Sequence, residues 1–420
     1  MMVAPKLRFK ADDGSDFSGW EEKTLGELCA PLTYGMNAAA TKFDGENRYI
    51  RITDIDDETH ALLPNDIVSP SGELDDKYLV KKGDILLART GASTGKSFLY
   101  HPKDGKLFYA GFLIKAHVLS SSDDYFIYSQ TLTDRYWKWV KTASMRSGQP
   151  GINANEYASY SFAVPSLPEQ RKIADFLSAV DDVIAAQQAE VDAWEQRKKG
   201  VMQKLFSQEV RFKADDGSEF PAWEEKTFWD VFANLTNNTF SRECLNAESG
   251  QARNIHYGDV LVKYGAVVDV QRDGVPFVNP DVECKRWDCL KNGDVVIADT
   301  AEDETVGKAV EISNAGSDIV YSGLHTIACR PKEEFAPGYL GNYINSMSYH
   351  DQLRPYMQGI KVASVSKTNI GLTHLLVPSL PEQRKIADCL ASMDEVIQKS
   401  KDELAKWREL KKGLLQQMFV

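Results

Sequence analysis

The sequence predicts an α+β protein made of two tandem units, each a mixed head followed by a long helix, and two repeats with different spacings carry that prediction. Pro165-Ser-Leu-Pro-Glu-Gln-Arg-Lys-Ile-Ala-Asp-Phe-Leu177 returns 213 positions later as Pro378-Ser-Leu-Pro-Glu-Gln-Arg-Lys-Ile-Ala-Asp-Cys-Leu390, and Trp194 to Phe206 returns as Trp407 to Phe419. Leu7-Arg-Phe-Lys-Ala-Asp-Asp-Gly-Ser15 returns 203 positions later as Val210-Arg-Phe-Lys-Ala-Asp-Asp-Gly-Ser218. The spacings differ by ten, so the second head is ten residues longer. The ends of the units are nearly identical and their middles are not: one scaffold carries two differently specified heads. The predicted boundaries are a first head at 1–164, a helix at 165–209, a second head at 210–377 and a helix at 378–420.

In the first head, Lys81-Lys-Gly-Asp-Ile-Leu-Leu-Ala-Arg-Thr90 reads as a Gly-Asp turn feeding a buried strand. Gly95-Lys96 closes the following loop, Leu113 to Leu119 reads as a strand, and Phe126 to Val140 as helix. The second head repeats this order in diverged form. Lys291-Asn-Gly-Asp-Val-Val-Ile-Ala-Asp-Thr300 aligns with the first strand, Gly307-Lys308 with the loop, His325 to Arg330 with the next strand, and Tyr339 to Met357 with the helix. Trp137 and Trp139 are expected in the core.

Each long helix opens with a capping-box pattern, Ser166 with Glu169 and Ser379 with Glu382. Behind the caps run apolar seams with alternating steps of four and three. The first is Ile173, Leu177, Val180, Ile184, Gln187, Val191, Trp194, Lys198, Val201 and Leu205; the second is Ile386, Leu390, Met393, Ile397, Ser400, Leu404, Trp407, Lys411, Leu414 and Met418. A heptad held that long predicts a coiled coil, with each helix as the other's partner. About 40 residues make a rod of roughly 60 Å. The polar seam residues Gln187, Lys198, Ser400 and Lys411 either fix register or mark frayed contacts. The repeated polar letters Glu169, Gln170, Arg171 and Lys172 are expected on an exposed face where partners dock.

The 420 residues, 43% of them hydrophobic, suit about three domains at most. No run approaches 18 apolar residues, so no membrane span is expected, and the first residues lack a signal peptide's apolar core. Six cysteines without a Cys-x-x-Cys fit a reducing cytoplasm and no metal site. The net charge of −12 argues against non-specific coating of nucleic acid. From Thr24 to Tyr160 there are 15 Lys and Arg against 17 Asp and Glu, so contact with DNA would depend on locally sorted charge.

Catalytic look-alikes fail on spacing. Gly91 to Ser97 resembles a P-loop with one residue too few between its glycines. Asp281, Glu283 and Lys285 have nuclease residue types compressed into a turn. Asn279-Pro280 is followed by Asp281, unlike the motif of amino-methyltransferases, and no glycine-rich adenosylmethionine loop is present.

The duplicated Pro-Ser-Leu-Pro-Glu-Gln-Arg-Lys-Ile-Ala helix start closely resembles the specificity (S) subunit of type I restriction–modification systems, and the resemblance covers nearly the whole chain. It implies two target recognition domains joined by the family's conserved helices packed antiparallel as a coiled coil, with an internal pseudo-twofold repeat. Each domain would read one half of a bipartite, asymmetric site in double-stranded DNA. Two modification (methyltransferase) subunits and restriction (translocase and nuclease) subunits would be the partners. Adenosylmethionine, ATP and magnesium would be held by those partners, with no cofactor on this chain. The alternatives are a scaffold whose heads bind protein, or a single-chain methyltransferase or nuclease.

DNA contact is expected on polar loops able to meet base edges or phosphates. In the first head these are Tyr34, Asn37, Thr41, Lys42, Arg89, Thr90, Lys96, Arg146 and Gln149. In the second they are Asn237, Asn238, Arg242, Lys263, Tyr264, Lys308, Gln358, Lys361 and Lys367.

Overall fold

The computed structural model describes residues 5–146, 148–359 and 362–419. By internal packing the chain forms two units, Met1–Gln188 with Asp402–Val420, and Ala189–Lys401.

In the first unit a four-stranded sheet runs in the order Thr33–Tyr34, Leu113–His117, Asp84–Ala88, Ser97–Leu99. Its neighbours pair antiparallel. After its first residue the strand Asp84–Ala88 is an unbroken apolar run because both its faces are covered. Ile85 and Leu87 face a core shared with Phe126, Tyr136, Tyr157 and the long helices, while Leu86 and Ala88 face a second core with Ile50, Phe98 and Tyr109.

The second unit repeats this with one strand more: Phe232–Leu235, Thr326–Pro331, Val295–Ala298, Ala309–Ser313, Val267–Asp269. The last strand is parallel to its neighbour. Val295 and Ile297 face one core, Val296 and Ala298 the other. The expected helical stretches are each broken. They form Asp124–Gln130 and Asp134–Ala143 in the first unit, and Tyr339–Ile344 and Met347–His350 in the second. Trp139 lies among Tyr136, Tyr157 and Tyr160, while Trp137 stays 38% exposed.

Each head is tied off at its base by one antiparallel pair, Glu21–Thr24 with Ser161–Val164 and Glu224–Thr227 with His374–Val377. Directly after the second strand of each pair the long helices begin, Leu167–Phe206 and Leu380–Met418. The expected capping box does not form through the acidic residues. Glu169 is fully buried and both its carboxylate oxygens accept from Arg8, at 2.9 and 2.7 Å. Glu382 is likewise fully buried and takes Arg211 at 3.0 and 2.7 Å.

The neighbouring glutamines are buried too. Gln170 accepts from the Asp123 N–H and donates to the Pro165 carbonyl, and Gln383 does the same with Ala336 and Pro378. Lys172 pairs with Asp12, and Lys385 with Asp215. The expectation of an exposed docking face at Glu169 to Lys172 is therefore corrected. These letters repeat because they fasten lead-in, helix and head within each unit; of the four, only Arg171 is exposed.

The apolar seams pack as the heptads predict. In the first unit Ile173 and Leu177 share a core with Leu415 and Met418. Asp181 meets Lys411 at 2.6 Å and Gln188 meets Arg408 at 3.1 Å. In the second unit Leu205 and Phe206 share a core with Ile386 and Leu390, and Lys198 meets Asp394 at 2.7 Å. Numbers rise on one helix as they fall on the other, so the pairing is antiparallel in both units. The polar seam lysines Lys198 and Lys411 make equivalent ion pairs between the helices rather than lying at frayed contacts.

Candidate nucleic-acid interface

Loops gather at one end of each head's main sheet. In the first head these follow Tyr34, Ala88 and Tyr109 and precede the short helix Ala154–Ala158. Backbone bonds set their register. The Arg89 N–H donates to the Phe112 carbonyl (3.0 Å), the Ile152 N–H donates to the Arg89 carbonyl (2.9 Å), and Thr90 bridges Gly151. The Arg89 guanidinium lies over the Tyr34 ring at 4.8 Å, and Tyr34 accepts from the Ala154 N–H through its hydroxyl. Phe112 is 63% exposed beside them, and Gln149 is exposed across Gly91.

The second head reproduces this frame with other side chains. The Asp299 N–H donates to the His325 carbonyl (3.1 Å), the Val365 N–H donates to the Asp299 carbonyl (2.9 Å), and Thr300 pairs with Ser364. Asn237 donates to the Gly323 carbonyl at 3.2 Å, as Arg89 does to Gly111 at 3.3 Å.

Of the expected contact residues in the first head, Tyr34, Arg89, Thr90 and Gln149 meet at this end of the sheet. Arg146 is exposed but is held by Glu156 and the Ala143 carbonyl. Asn37 is exposed at the same end, while Thr41 and Lys42 sit on the separate strand Ala40–Lys42.

Lys96 is corrected: it is 5% exposed, and its ammonium donates to the Ile55 carbonyl (2.7 Å) and to Asp57 (2.6 Å). The Gly-Lys pair is structural in both heads. Gly95 has φ +97°, and a Cβ there would meet Val140 at 2.6 Å; Gly307 has φ +90° and would meet Leu353 at 2.6 Å. Only glycine lets the helix or turn beneath approach so closely. Lys308 donates to the Leu261 and Tyr264 carbonyls, and burial pushes its pKa down.

In the second head Asn238 is 1% exposed and bonded to Asn254, so it is a core amide rather than a contact residue. Tyr264 is 4% exposed within an apolar core. Arg242 is locked in a two-pronged pair with Asp259 (2.9 and 2.6 Å), and Lys263 donates to the Gly274 carbonyl. Gln358 and Lys367 are exposed, and Lys361 lies outside the described residues. Missed by sequence reasoning were Phe112, Asp299 and His325. The available signal was that Ala-Arg-Thr90 and Ala-Asp-Thr300 occupy one slot of the repeat.

The look-alike at Asp281, Glu283 and Lys285 is an exposed turn. Among the described residues no group of three or more His, Cys, Asp or Glu could hold a metal, and no helix is long and apolar enough to cross a membrane.

Residues 18–193 match the family model described as Type I restriction modification DNA specificity domain. A relative from Methanocaldococcus jannaschii, the Type I restriction enzyme MjaVIII specificity subunit, is 23% identical over 353 residues, 81% of this chain and 79% of its own length. A second from that organism, the Putative type I restriction enzyme MjaX specificity subunit, is 25% identical over 227 residues, 51% of this chain and 53% of its own. The fold is shared with the Type-I restriction-modification system S subunit from M. genitalium, at TM-score 0.53 and 15% identity, covering 100% of this chain and 99% of that one. A chain from work described as the structural basis of complex assembly and conformational transition of the type I R-M system gives TM-score 0.55 at 17% identity, covering 95% and 97%. Residues 18–193 thus carry a type I restriction modification DNA specificity domain, and over most of its length the chain is similar to specificity subunits of type I restriction–modification systems.

Proposed function

We propose that this chain reads a bipartite, asymmetric sequence in double-stranded DNA, one half-site per head, and organises the catalytic subunits around it. The observation that carries this reading is the pairing of one repeated frame with two different loop ends. A protein that needed one recognition chemistry would repeat the loops along with the clamps. Base edges in the major groove are distinguished by hydrogen-bond pattern, and side chains such as Arg89 in one head and Asp299 in the other differ in that property.

Two equivalent units support two modification subunits, and restriction subunits would join them, in the cytoplasm. Adenosylmethionine, ATP and magnesium would be held by those partners, where methyl transfer, translocation and cleavage belong. With a net charge of −12, affinity for the phosphate backbone would come from the partners as well as from local basic groups. The test is selection of sites from a randomised DNA pool by the complex with its modification subunits. A gapped, asymmetric motif whose binding weakens with salt is expected. Recovery of no motif would favour a scaffold that binds protein, and methylation by the chain alone with adenosylmethionine would favour an enzyme.

A further inference from the structure

The geometry points to Arg89 and Asp299 as the paired specificity-determining residues of the two heads, Arg89 for a guanine in one half-site and Asp299 for a cytosine in the other. The inference rests on the DNA-reading function proposed above and names its chemistry.

The two residues hold one backbone position. Each follows the central buried strand and donates its N–H to the residue at the tip of the neighbouring loop, Phe112 or His325. Each also accepts from the residue that opens the last short segment of the head, Ile152 or Val365. Their surroundings differ. Arg89 is backed by the 42%-exposed Tyr34 ring, 4.8 Å from the guanidinium carbon to the ring centre, and is itself part-exposed. Among the described residues one of its N–H groups has a partner, the Gly111 carbonyl at 3.3 Å. A guanidinium fork steadied by a ring matches the O6 and N7 acceptors of guanine.

Asp299 holds one carboxylate oxygen with Thr300 at 2.8 Å and near His325 Nδ1 at 3.4 Å. Among the described residues its other oxygen has no partner. A carboxylate at a DNA surface is repelled by phosphates, so it fits there only where it faces a donor. The major groove offers the exocyclic amines of adenine and cytosine, and a carboxylate, having acceptors alone, suits cytosine N4, whereas adenine pairs its amine with an N7 acceptor that the carboxylate would face unpaired. His325 beside it has φ +53°, a left-handed backbone that a non-glycine residue seldom adopts. Such outliers gather at binding sites because the surrounding structure holds them there.

The experiment is site selection from a randomised DNA pool by the full complex with its modification subunits, run for the native chain, Arg89→Gln and Asp299→Asn. Arg89→Gln is expected to relax a guanine in one half-site, and Asp299→Asn a cytosine in the other. Each preference should fall roughly five- to 150-fold with the remaining positions unchanged. Variants that return the native motif, or bind every sequence more weakly by one factor, overturn the assignment, because uniform loss is the mark of a phosphate contact. If the native complex selects no motif, it is the proposed function that fails. Where Arg89→Gln lowers the yield of folded complex, Arg89→Lys keeps the charge and removes the fork. It must still weaken the guanine preference, and an unchanged preference overturns the proposal.

Discussion

Arg8 grips Glu169 in the first unit through the same two nitrogens by which Arg211 grips Glu382 in the second, yet the loop ends of the two heads present Arg89 in one and Asp299 in the other. The difference separates two kinds of constraint. Among the letters that repeat, Glu169 and Gln170 and their counterparts Glu382 and Gln383 have polar groups removed from water and satisfied inside the unit, where any change strands a charge or an amide. Residues that differ sit where backbone bonds fix their position but leave their side chains free. A chain organised this way can change what a head reads without disturbing how it is mounted.

The clamps themselves are unequal, which gives the largest expected effect. Trp223 also donates to Glu382, at 3.0 Å, whereas the equivalent Trp20 indole N–H is buried without a partner among the described residues. Arg8→Ala would leave the fully buried Glu169 carboxylate without its cation, a loss of about 3–5 kcal/mol. Arg211→Ala should be milder by about 1 kcal/mol because one donor remains. Hydrogen exchange at Glu21–Thr24 and at Glu224–Thr227 measures each clamp separately. Equal loss of protection would show that the Trp223 contact contributes nothing.

Glycine substitutions come next. Gly95→Ala meets Val140 at 2.6 and 2.9 Å and Trp137 at 3.1 Å, whereas Gly307→Ala meets chiefly Leu353 at 2.6 Å. Both also force alanine to a positive φ. Each should lower stability by about 1–3 kcal/mol, Gly95→Ala by more. Urea titration of the two variants checks the order, and a larger loss for Gly307→Ala would contradict the packing argument.

The smallest effect is in pH. Burial pushes the His60 and His256 pKa values below their usual 6.5. Below about 6.5 the unfolded chain takes up protons that the folded chain refuses, so stability falls as pH drops from there toward the lowered values and is unaffected above. His60 donates or accepts at the Ser97 carbonyl and hydroxyl through Nδ1, and the carbonyl at 2.8 Å requires it to donate. His60→Asn keeps a donor and tolerates the residue's φ of +58°. Melting temperatures at pH 7.5 and 5.5 should differ less in this variant than in the native chain; an equal difference would place the acid sensitivity elsewhere.

Much of the fold was legible because it is written in periods. The heptad seams, the turn before each central strand and the two repeat spacings all depend on pattern, and pattern survives without knowledge of partners. The contact residues were less legible, because a polar side chain in a loop looks the same whether it faces solvent or a carbonyl. Lys96 and Lys308 resembled phosphate ligands but hold backbone carbonyls, and Asn238 resembled a base reader but braces Asn254. Glu169 and Gln170 looked like a docking face because their partners, Arg8 and Asp123, lie far away in sequence. The extra strand Val267–Asp269 had no counterpart in the first head from which to infer it.

Under the proposed function the frame is interchangeable and the head alone decides the half-site. Equivalent backbone bonds mark the junctions, the Leu25 N–H to the Tyr160 carbonyl and the Phe228 N–H to the Thr373 carbonyl. Replacing residues 24–160 with a second copy of 227–373 keeps both base strands, both clamps and both helices of the frame. The most direct measurement is sequencing of the DNA methylated by the chimaera with its modification subunits. The expected site is built from the second head's half-site twice, with the first head's half-site gone. A folded, active chimaera that still methylates the native asymmetric site, or one that changes both halves to something new, would contradict it.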